Sequence, residues 1–151
     1  MAIFDSLNVS ASSLTAQRLR MDVASSNIAN AQTTRATMNE DGEYEPYQRK
    51  MVSLQPGTKS FKSYLNKARY GTATTTNGVR VNSIINDQAP FKTVYEPEHP
   101  DADEAGMVRY PNVDPLKENV DMMSATRSYE ANVTALNASK DMLLKALEIG
   151  Q

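Results

Sequence analysis

The chain lacks cysteine, tryptophan and any long apolar run. None of its 151 residues is Cys, and His99 is its one histidine. Without Cys there is no disulfide, no Cys-ligated zinc site and no thiol nucleophile. No segment approaches the ~20 apolar residues of a transmembrane helix, so the sequence predicts no membrane span. The start also lacks the basic and apolar regions of a Sec-type signal peptide, so these features alone favour a cytoplasmic location.

Glycine and proline are absent from both ends of the chain. Twelve of the thirteen Gly and Pro residues lie between Gly42 and Pro115, and the remaining one is Gly150. Gly costs backbone entropy in a helix, and Pro removes a backbone hydrogen bond. We therefore expect one long helix over residues 3–31 and a second one that begins near Asp114 and stops near Gly150. Asp114 can cap the second helix, and Pro115 suits its first position.

Both breaker-free ends carry apolar residues at a seven-residue spacing, which keeps a narrow stripe turned towards a partner helix. Each such side chain contributes about 1.5–3 kcal/mol, and only once it is buried. We therefore expect the two helices to pair as a coiled-coil-like hairpin and to pack against other subunits. The predicted subunit-packing residues are Leu7, Leu14, Met21, Ile28, Met122, Tyr129, Val133, Leu136, Leu143 and Leu147.

The middle of the chain has the short alternating runs of β-strands. Tyr44–Leu54, Val79–Ile85 and Phe91–Tyr95 are the predicted strands, and Asn77-Gly78 is typical of a hairpin turn. The predicted fold class is thus α+β, with long terminal helices and a small β-rich centre.

The predicted domain organisation follows the same division. Residues 1–35 and 113–151 form a helical polymerisation domain, and residues 36–112 form the central β-rich segment. Within that segment, residues near 55–77 are rich in Lys, Ser and Thr, which predicts a mobile basic loop.

Charge is segregated along the centre, although the net charge is only −2. Seven basic residues and no acid lie between Pro46 and Asn86, whereas five acids lie between Glu96 and Glu104. Basic residues interleaved with aromatics are typical of a nucleic-acid groove. The acidic remainder opposes that interpretation, so we expect no nucleic-acid partner. The basic segment either meets an acidic patch of a neighbouring subunit or is simply solvated.

The sequence offers little for catalysis or metal binding. His99 lies among five acids, but such charge runs are usually solvated loops, and no calcium-loop pattern is present. There is no Gly-rich phosphate loop, and the serine pairs have no histidine partner. We therefore expect no enzyme activity, no catalytic residues, no metal and no cofactor.

Two segments carry a family resemblance. Residues 26–34 (SNIANAQTT) resemble the N-terminal motif of the flagellar basal-body rod and hook family. Residues 113–116 (VDPL) and 122–132 (MMSATRSYEAN) are similar to its C-terminal motif. Thr34-Arg35 departs from the glycine and aromatic that rod relatives usually carry there. The short length resembles the family's proximal rod members. The motif residues are Asn27, Ala29, Asn30, Thr33, Arg127, Tyr129 and Asn132.

The resemblance implies a structural subunit of the bacterial flagellar basal-body rod. Such a subunit would be exported unfolded by the flagellar type III apparatus, without a Sec signal, to the periplasm and cell-wall region. Its partners would be further copies and other rod proteins. It would polymerise through its terminal helices into a torque-transmitting tube around the export channel. The alternative is a soluble helical-hairpin adaptor that binds one partner protein.

Overall fold

The computed structural model describes residues 2–39, 42–57, 65, 68–69 and 78–149. Within these residues a long helix stands at each end of the chain, and short strands lie between them. The helices are α1 (Ala2–Ala29) and α2 (Pro115–Ile149). The strands are β1 (Thr37–Met38), β2 (Tyr44–Glu45), β3 (Lys50–Pro56), β4 (Val79–Asn86), β5 (Lys92–Tyr95) and β6 (Met107–Tyr110).

The predicted α+β class is confirmed, because the terminal helices pack together and the strands lie between them in sequence. With 28 and 35 residues, α1 and α2 are about 42 and 52 Å long. The predicted start of α2 is also observed. The Asp114 carboxylate accepts the backbone N–H of Leu116 at 3.0 Å, and the helix begins at Pro115. No helix in the described part of the chain is both long and apolar enough to cross a membrane.

Among the described residues the strands form three two-stranded sheets. β1 and β2 are antiparallel, and Gly42 turns the chain between them with a φ of 83°. That positive φ is a conformation that glycine adopts without a Cβ clash. β5 and β6 are antiparallel, with Val94 opposite Val108. Backbone hydrogen bonds from Asp87 to Arg49 and from Gly57 to Gly78 mark the two ends of the β3–β4 pair.

The strands differ from the prediction in three places. The predicted Tyr44–Leu54 strand is interrupted between Glu45 and Lys50, because Pro46 has no N–H to donate to a ladder. The sequence analysis did not predict β1 or β6. Asn77 lies outside the described residues, but β4 pairs with β3, so Gly78 faces Gly57 rather than closing a two-residue hairpin. The predicted loop near 55–77 lies largely outside the described residues.

The chain divides into two compact units. The first contains the described residues within 1–19, 53–83 and 125–151, and the second contains those within 20–52 and 84–124. In the first unit, Ser12 joins α1 to β4: its Oγ donates to the Val9 carbonyl at 2.7 Å and accepts the Val79 N–H at 3.1 Å. In the second unit, the buried apolar residues include Ala24, Tyr47, Val108 and Val113.

A Gly78→Ala substitution tests the close approach of α1 to β4. An added Cβ would lie 2.3 Å from Ser12 Oγ, so the hydroxyl would have to rotate away from the Val79 N–H. We expect a loss of about 1–2 kcal/mol in the free energy of unfolding, because a backbone donor loses its partner. Urea unfolding of the purified chain measures this loss. Ser12→Ala should produce part of it, and the double variant should lose less than the sum; full additivity would contradict the explanation.

Candidate assembly site

α1 is covered on every side but one. Between Asp5 and Ala29, the exposed residues follow one another at intervals of three or four residues, and all others are half-buried or buried. We call these exposed residues the outer stripe of α1: Asp5, Asn8, Ala11, Thr15, Arg18, Asp22, Ser25 and Ala29. The helix therefore shows solvent a narrow face of small, polar and charged side chains.

The ten predicted subunit-packing residues are incompletely buried in the single chain. Nine of them are half-buried, and Leu147 is exposed. The deeply buried helix residues on the apolar side are instead small: Ala16, Ala24 and Ala125. The apolar stripes thus keep accessible surface that a neighbouring molecule can cover, and their role in subunit packing stays a prediction.

α2 has one covered face, and most of its remaining surface is exposed. The covered face combines two seven-residue rows, one apolar and one small or polar. The rows are Met122, Tyr129, Leu136, Leu143 and Glu118, Ala125, Asn132, Ser139. Elsewhere on the helix, Leu116 is 74% exposed, and Val120 and Met123 are each 54% exposed. The sequence analysis missed this second apolar set.

The side-chain amide of Asn27 makes four hydrogen bonds in the second unit. Asn27 is only 1% exposed. Its Nδ2 donates to the Lys50 carbonyl at 2.9 Å and to Glu118 Oε2 at 2.8 Å. Its Oδ1 accepts the Lys50 N–H and the Tyr47 hydroxyl, both at 3.0 Å. The amide uses two donors and two acceptor positions, which is its full hydrogen-bonding capacity.

Glu118 and Arg49 extend these contacts into a charged network. Glu118 is 2% exposed, and its Oε1 accepts a 2.6 Å hydrogen bond from Arg49 Nε. Arg49 also lies 3.3 Å from an Asp87 carboxylate oxygen. Burial lowers the pKa of Arg49, but the hydrogen bond to Glu118 and the attraction of the acids outweigh it, so that pKa is raised. We call Asn27, Tyr47, Arg49, Lys50 and Glu118 the Asn27 cluster.

Asn112 attaches the segment before α2 to the same network. Its Oδ1 accepts the Arg49 N–H at 2.8 Å, and its Nδ2 donates to the carbonyls of Asp87 and Ala89. A hydrogen bond from the Ala89 N–H, together with Arg49, holds the pKa of Asp87 below its ordinary value. Every buried side-chain N or O atom among the described residues has a hydrogen-bond partner.

The residues that depart from the family motif form a second anchor. Thr34 Oγ1 donates to Asp101 Oδ2 at 2.6 Å, and Arg35 Nε donates to Asp101 Oδ1 at 2.5 Å. The hydrogen bond from Thr34, followed by that from Arg35, lowers the pKa of Asp101. The Asp101 N–H donates to His99 Nδ1 at 3.1 Å. Thr34 and Arg35 thus connect the segment after α1 to the acid-rich turn, residues 96–104.

The other motif residues make local contacts. Asn30 Nδ2 donates to the Ser26 carbonyl at 2.9 Å, and Thr33 Oγ1 donates to Asn30 Oδ1 at 3.2 Å, which closes the end of α1. On α2, Asn132 Nδ2 donates to the Ser128 carbonyl at 2.7 Å. The remaining three differ in burial: Ala29 and Arg127 are exposed, and Tyr129 is half-buried.

The sequence analysis missed Tyr47, Arg49, Glu118 and Asp101 as site residues. Glu118 had a signal: it stands seven residues before Ala125, on a row that faces the core, where a charge demands a partner. Nothing in the spacing identified Arg49 as that partner. His99, which the sequence analysis considered for metal binding, accepts the backbone N–H of Asp101 at its Nδ1. No group of three or more His, Asp or Glu residues in the described ranges is placed to hold a metal.

Comparison with known proteins first gives the class. Residues 7–37 match the family described as "Flagella basal body rod protein", and residues 104–149 match "Flagellar basal body rod FlgEFG protein C-terminal". The first match covers most of α1 and its motif, and the second covers β6 and all of α2. They define a structural component of the flagellar basal body.

Full-length relatives then give the particular family. The flagellar basal-body rod protein FlgC of Bacillus subtilis (strain 168) is 60% identical over 151 residues, which is all of both chains. FlgC of Salmonella typhimurium is 44% identical over all of both chains. FlgC of Borreliella burgdorferi is 43% identical over all of this chain and 99% of the relative. The chain belongs to the FlgC family of flagellar basal-body rod proteins, and it is a structural subunit rather than an enzyme.

Asn27→Asp tests the amide at the centre of the cluster. The substitution keeps the shape, but it replaces the donor to Glu118 with an acceptor. We expect a loss of about 2–4 kcal/mol at pH 7, because a buried donor is removed and two carboxylates face each other. Thermal unfolding measures the loss, with Asn30→Asp as the control at a less buried site. Equal stability of the Asn27→Asp and wild-type chains would contradict the proposed importance of the amide.

Asp101→Asn tests the second anchor through pH. The folded-state pKa of Asp101 is depressed, so its contribution is present above the ordinary carboxyl pKa of about 4 and is lost as pH falls through the folded value. We therefore expect the wild-type chain to lose more melting temperature than the variant between pH 6 and pH 3. Parallel pH curves for the two chains would exclude this contribution.

Proposed function

We propose that this rod subunit polymerises through its terminal helices into a tube that surrounds the export channel and transmits torque. The observation that carries the proposal is the incomplete burial of the seven-residue stripes. Nine of the ten predicted packing residues are half-buried in the single chain. A coiled-coil stripe with free surface on its flanks suits helices that have more than one neighbour.

The energetics favour an array over an isolated hairpin. Completing the burial of an apolar side chain of this size contributes about 1–2 kcal/mol. Nine such residues per subunit supply a substantial driving force once neighbours cover them. Because the contacts repeat along an array, the load on any one of them is small. Head-to-tail contacts between different faces generate open helical assemblies of this kind.

The Asn27 cluster has a mechanical role in this proposal. In the second unit it links α1 to α2 through Asn27 and Glu118, and it links α1 to the start of β3 through Lys50. Directional hydrogen bonds lose strength steeply when their geometry changes. Sliding of one helix along the other would break these hydrogen bonds. A force applied to one helix is therefore transmitted to the other helix and to the sheet.

Family membership supports the location and the partners. As a basal-body rod protein, the chain assembles with other rod proteins. We extend this to the rod segment in the periplasm and cell-wall region, reached through the flagellar type III export apparatus. The exposed described residues of the basic segment, Lys50, Arg69 and Arg80, would contact an acidic surface of a neighbour. The comparisons give no support to the adaptor alternative.

Leu14→Asp in a strain that carries this chain as its sole copy tests the proposal. Leu14 is half-buried in α1, and a carboxylate there would oppose further burial by a neighbour. We expect the strain to lose swimming and intact basal bodies. The purified variant should retain the near-UV circular dichroism of the tyrosines in the second unit. Leu136→Asp should have the same effects. Ala105→Asp, in the acid-rich turn, is the control and should swim. Normal swimming of the Leu14→Asp strain would reject helix-driven polymerisation.

A further inference from the structure

The outer faces of the two helices have matching patterns. The outer stripe of α1 was defined above, and its C-terminal half contains Arg18, Asp22, Ser25 and Ala29. α2 exposes a row at the same intervals of three or four residues, which we call the outer ridge: Leu116, Val120, Met123, Arg127 and Glu130. The inner faces are partly covered within the chain, where Asn27 bonds to Glu118. The outer faces are therefore available to another molecule.

We propose that the outer ridge of α2 packs antiparallel on the outer stripe of α1 in a second copy of this chain. This inference rests on the proposed function and specifies one of its contacts. It assigns the partner, the two surfaces and their register. The register places Glu130 beside Arg18, Arg127 beside Asp22, Met123 beside Ser25 and Val120 beside Ala29.

Charge complementarity determines this register. Antiparallel helices with equal rise keep the sum of facing residue numbers constant. Arg18 with Glu130 and Asp22 with Arg127 give nearly the same sum, so one alignment satisfies both pairs. All four side chains belong to exposed residues, and none of them takes part in an ion pair within the described part of the chain. Such complementarity specifies partner and register.

A parallel alignment satisfies only one of the two pairs. If Asp22 faces Arg127, then Arg18 faces Met123 and finds no acid. If Arg18 faces Glu130, then Asp22 faces Thr134 and finds no base. The antiparallel direction is therefore the one that the charges favour.

Side-chain size supports the same alignment. At the apolar end of the ridge, Val120 and Met123 are each 54% exposed. In the proposed register they face Ala29 and Ser25, whose small side chains let two helix backbones approach closely. Large side chains against small ones interdigitate, as packing of ridges into grooves requires. Two exposed apolar side chains of α2 would thereby be covered.

The contact joins different surfaces of identical molecules. Each copy offers a ridge to one neighbour and a stripe to the next, so the interaction is heterologous. Heterologous contacts extend into rings or helical arrays, which a rod requires. The inference thus specifies one lateral or axial contact of the proposed polymer and the charged residues that form it.

Charge reversal provides the first test, in a flagellated strain that carries this chain as its sole copy. Arg18→Glu and Glu130→Arg should each reduce the number of isolated basal bodies about tenfold, since each creates a like-charge contact in every repeat. The double variant Arg18→Glu/Glu130→Arg should recover to near the wild-type number. Lys140→Glu, which alters charge on α2 away from the ridge, is the control and should assemble normally.

Mixed expression identifies the partner. Co-expression of the two single variants should restore assembly, because the new glutamate of one meets the new arginine of the other in alternating copies. If another rod protein occupied either face, its side of the contact would stay unchanged. Neither the double variant nor the mixture would then recover, and that result would overturn the assignment to a second copy.

Cysteine cross-linking measures the register directly, and this chain has no native Cys that could form a competing disulfide. Ser25→Cys and Met123→Cys are placed in separate chains with tags of different size, and oxidation is performed on assembled basal bodies. We expect a mixed disulfide dimer and no dimer of either chain with itself. Thr134→Cys replaces Met123→Cys as the off-register control, about 16 Å further along the helix.

The outcomes separate this inference from the proposed function. If Leu14→Asp abolishes assembly while the charge pairs show no rescue and Ser25→Cys fails to link to Met123→Cys, the helices polymerise through other faces and this contact is wrong. If Leu14→Asp cells swim normally, the proposed function fails before the contact is considered. Self-dimers of Met123→Cys would show a symmetric contact and would also reject the inference.

Discussion

The hydrogen bonding of one buried amide holds the second unit of this rod protein together. Asn27 is almost completely inaccessible, and its side chain makes four hydrogen bonds to α2, to the segment before β3 and to β3 itself. An amide can pair with the N–H and the C=O of one residue, Lys50, much as a neighbouring strand would. A helix side chain thus replaces a missing strand, and this anchors the start of β3 to α1.

The amide in turn requires a charge to be buried. Glu118 accepts a hydrogen bond from Asn27 Nδ2. A buried carboxylate is energetically costly without a cation beside it, and Arg49 is that cation, with its Nε 2.6 Å from Glu118 Oε1. Arg49 also forms an ion pair with Asp87, and Asn112 Oδ1 accepts the backbone N–H of Arg49. Hydrogen bonds and ion pairs therefore fix how α1 packs against α2 in this unit, whereas the apolar stripes of the two helices are only half-buried. That division suits a subunit whose neighbours complete its packing.

Much of the architecture could be predicted because it is encoded locally. The absence of Gly and Pro, the seven-residue rows and the Asp114-Pro115 cap predicted two helices, and α2 begins at the expected residue. Strand prediction was weaker. β6 went unrecognised since its partner, β5, lies beyond an eleven-residue turn, and strand pairing depends on contacts between separated segments. Thr34 and Arg35 depart from the family motif, and the structure gives the reason. Both side chains donate hydrogen bonds to Asp101, which lies 66–67 residues away in the chain.

The sequence by itself determined the helices, their seven-residue apolar rows and the family motifs, because helix formation and its periodicity depend on neighbours within a few residues. The tertiary structure alone decided which polar groups are buried and what balances them. Asn27 and Glu118 are 91 residues apart in the chain, and no spacing rule brings them together. It also decided that small residues, Ala16, Ala24 and Ala125, are deeply buried while the larger stripe residues keep exposed surface. Burial is a property of the packed chain, since each side chain's environment is supplied by residues remote in sequence.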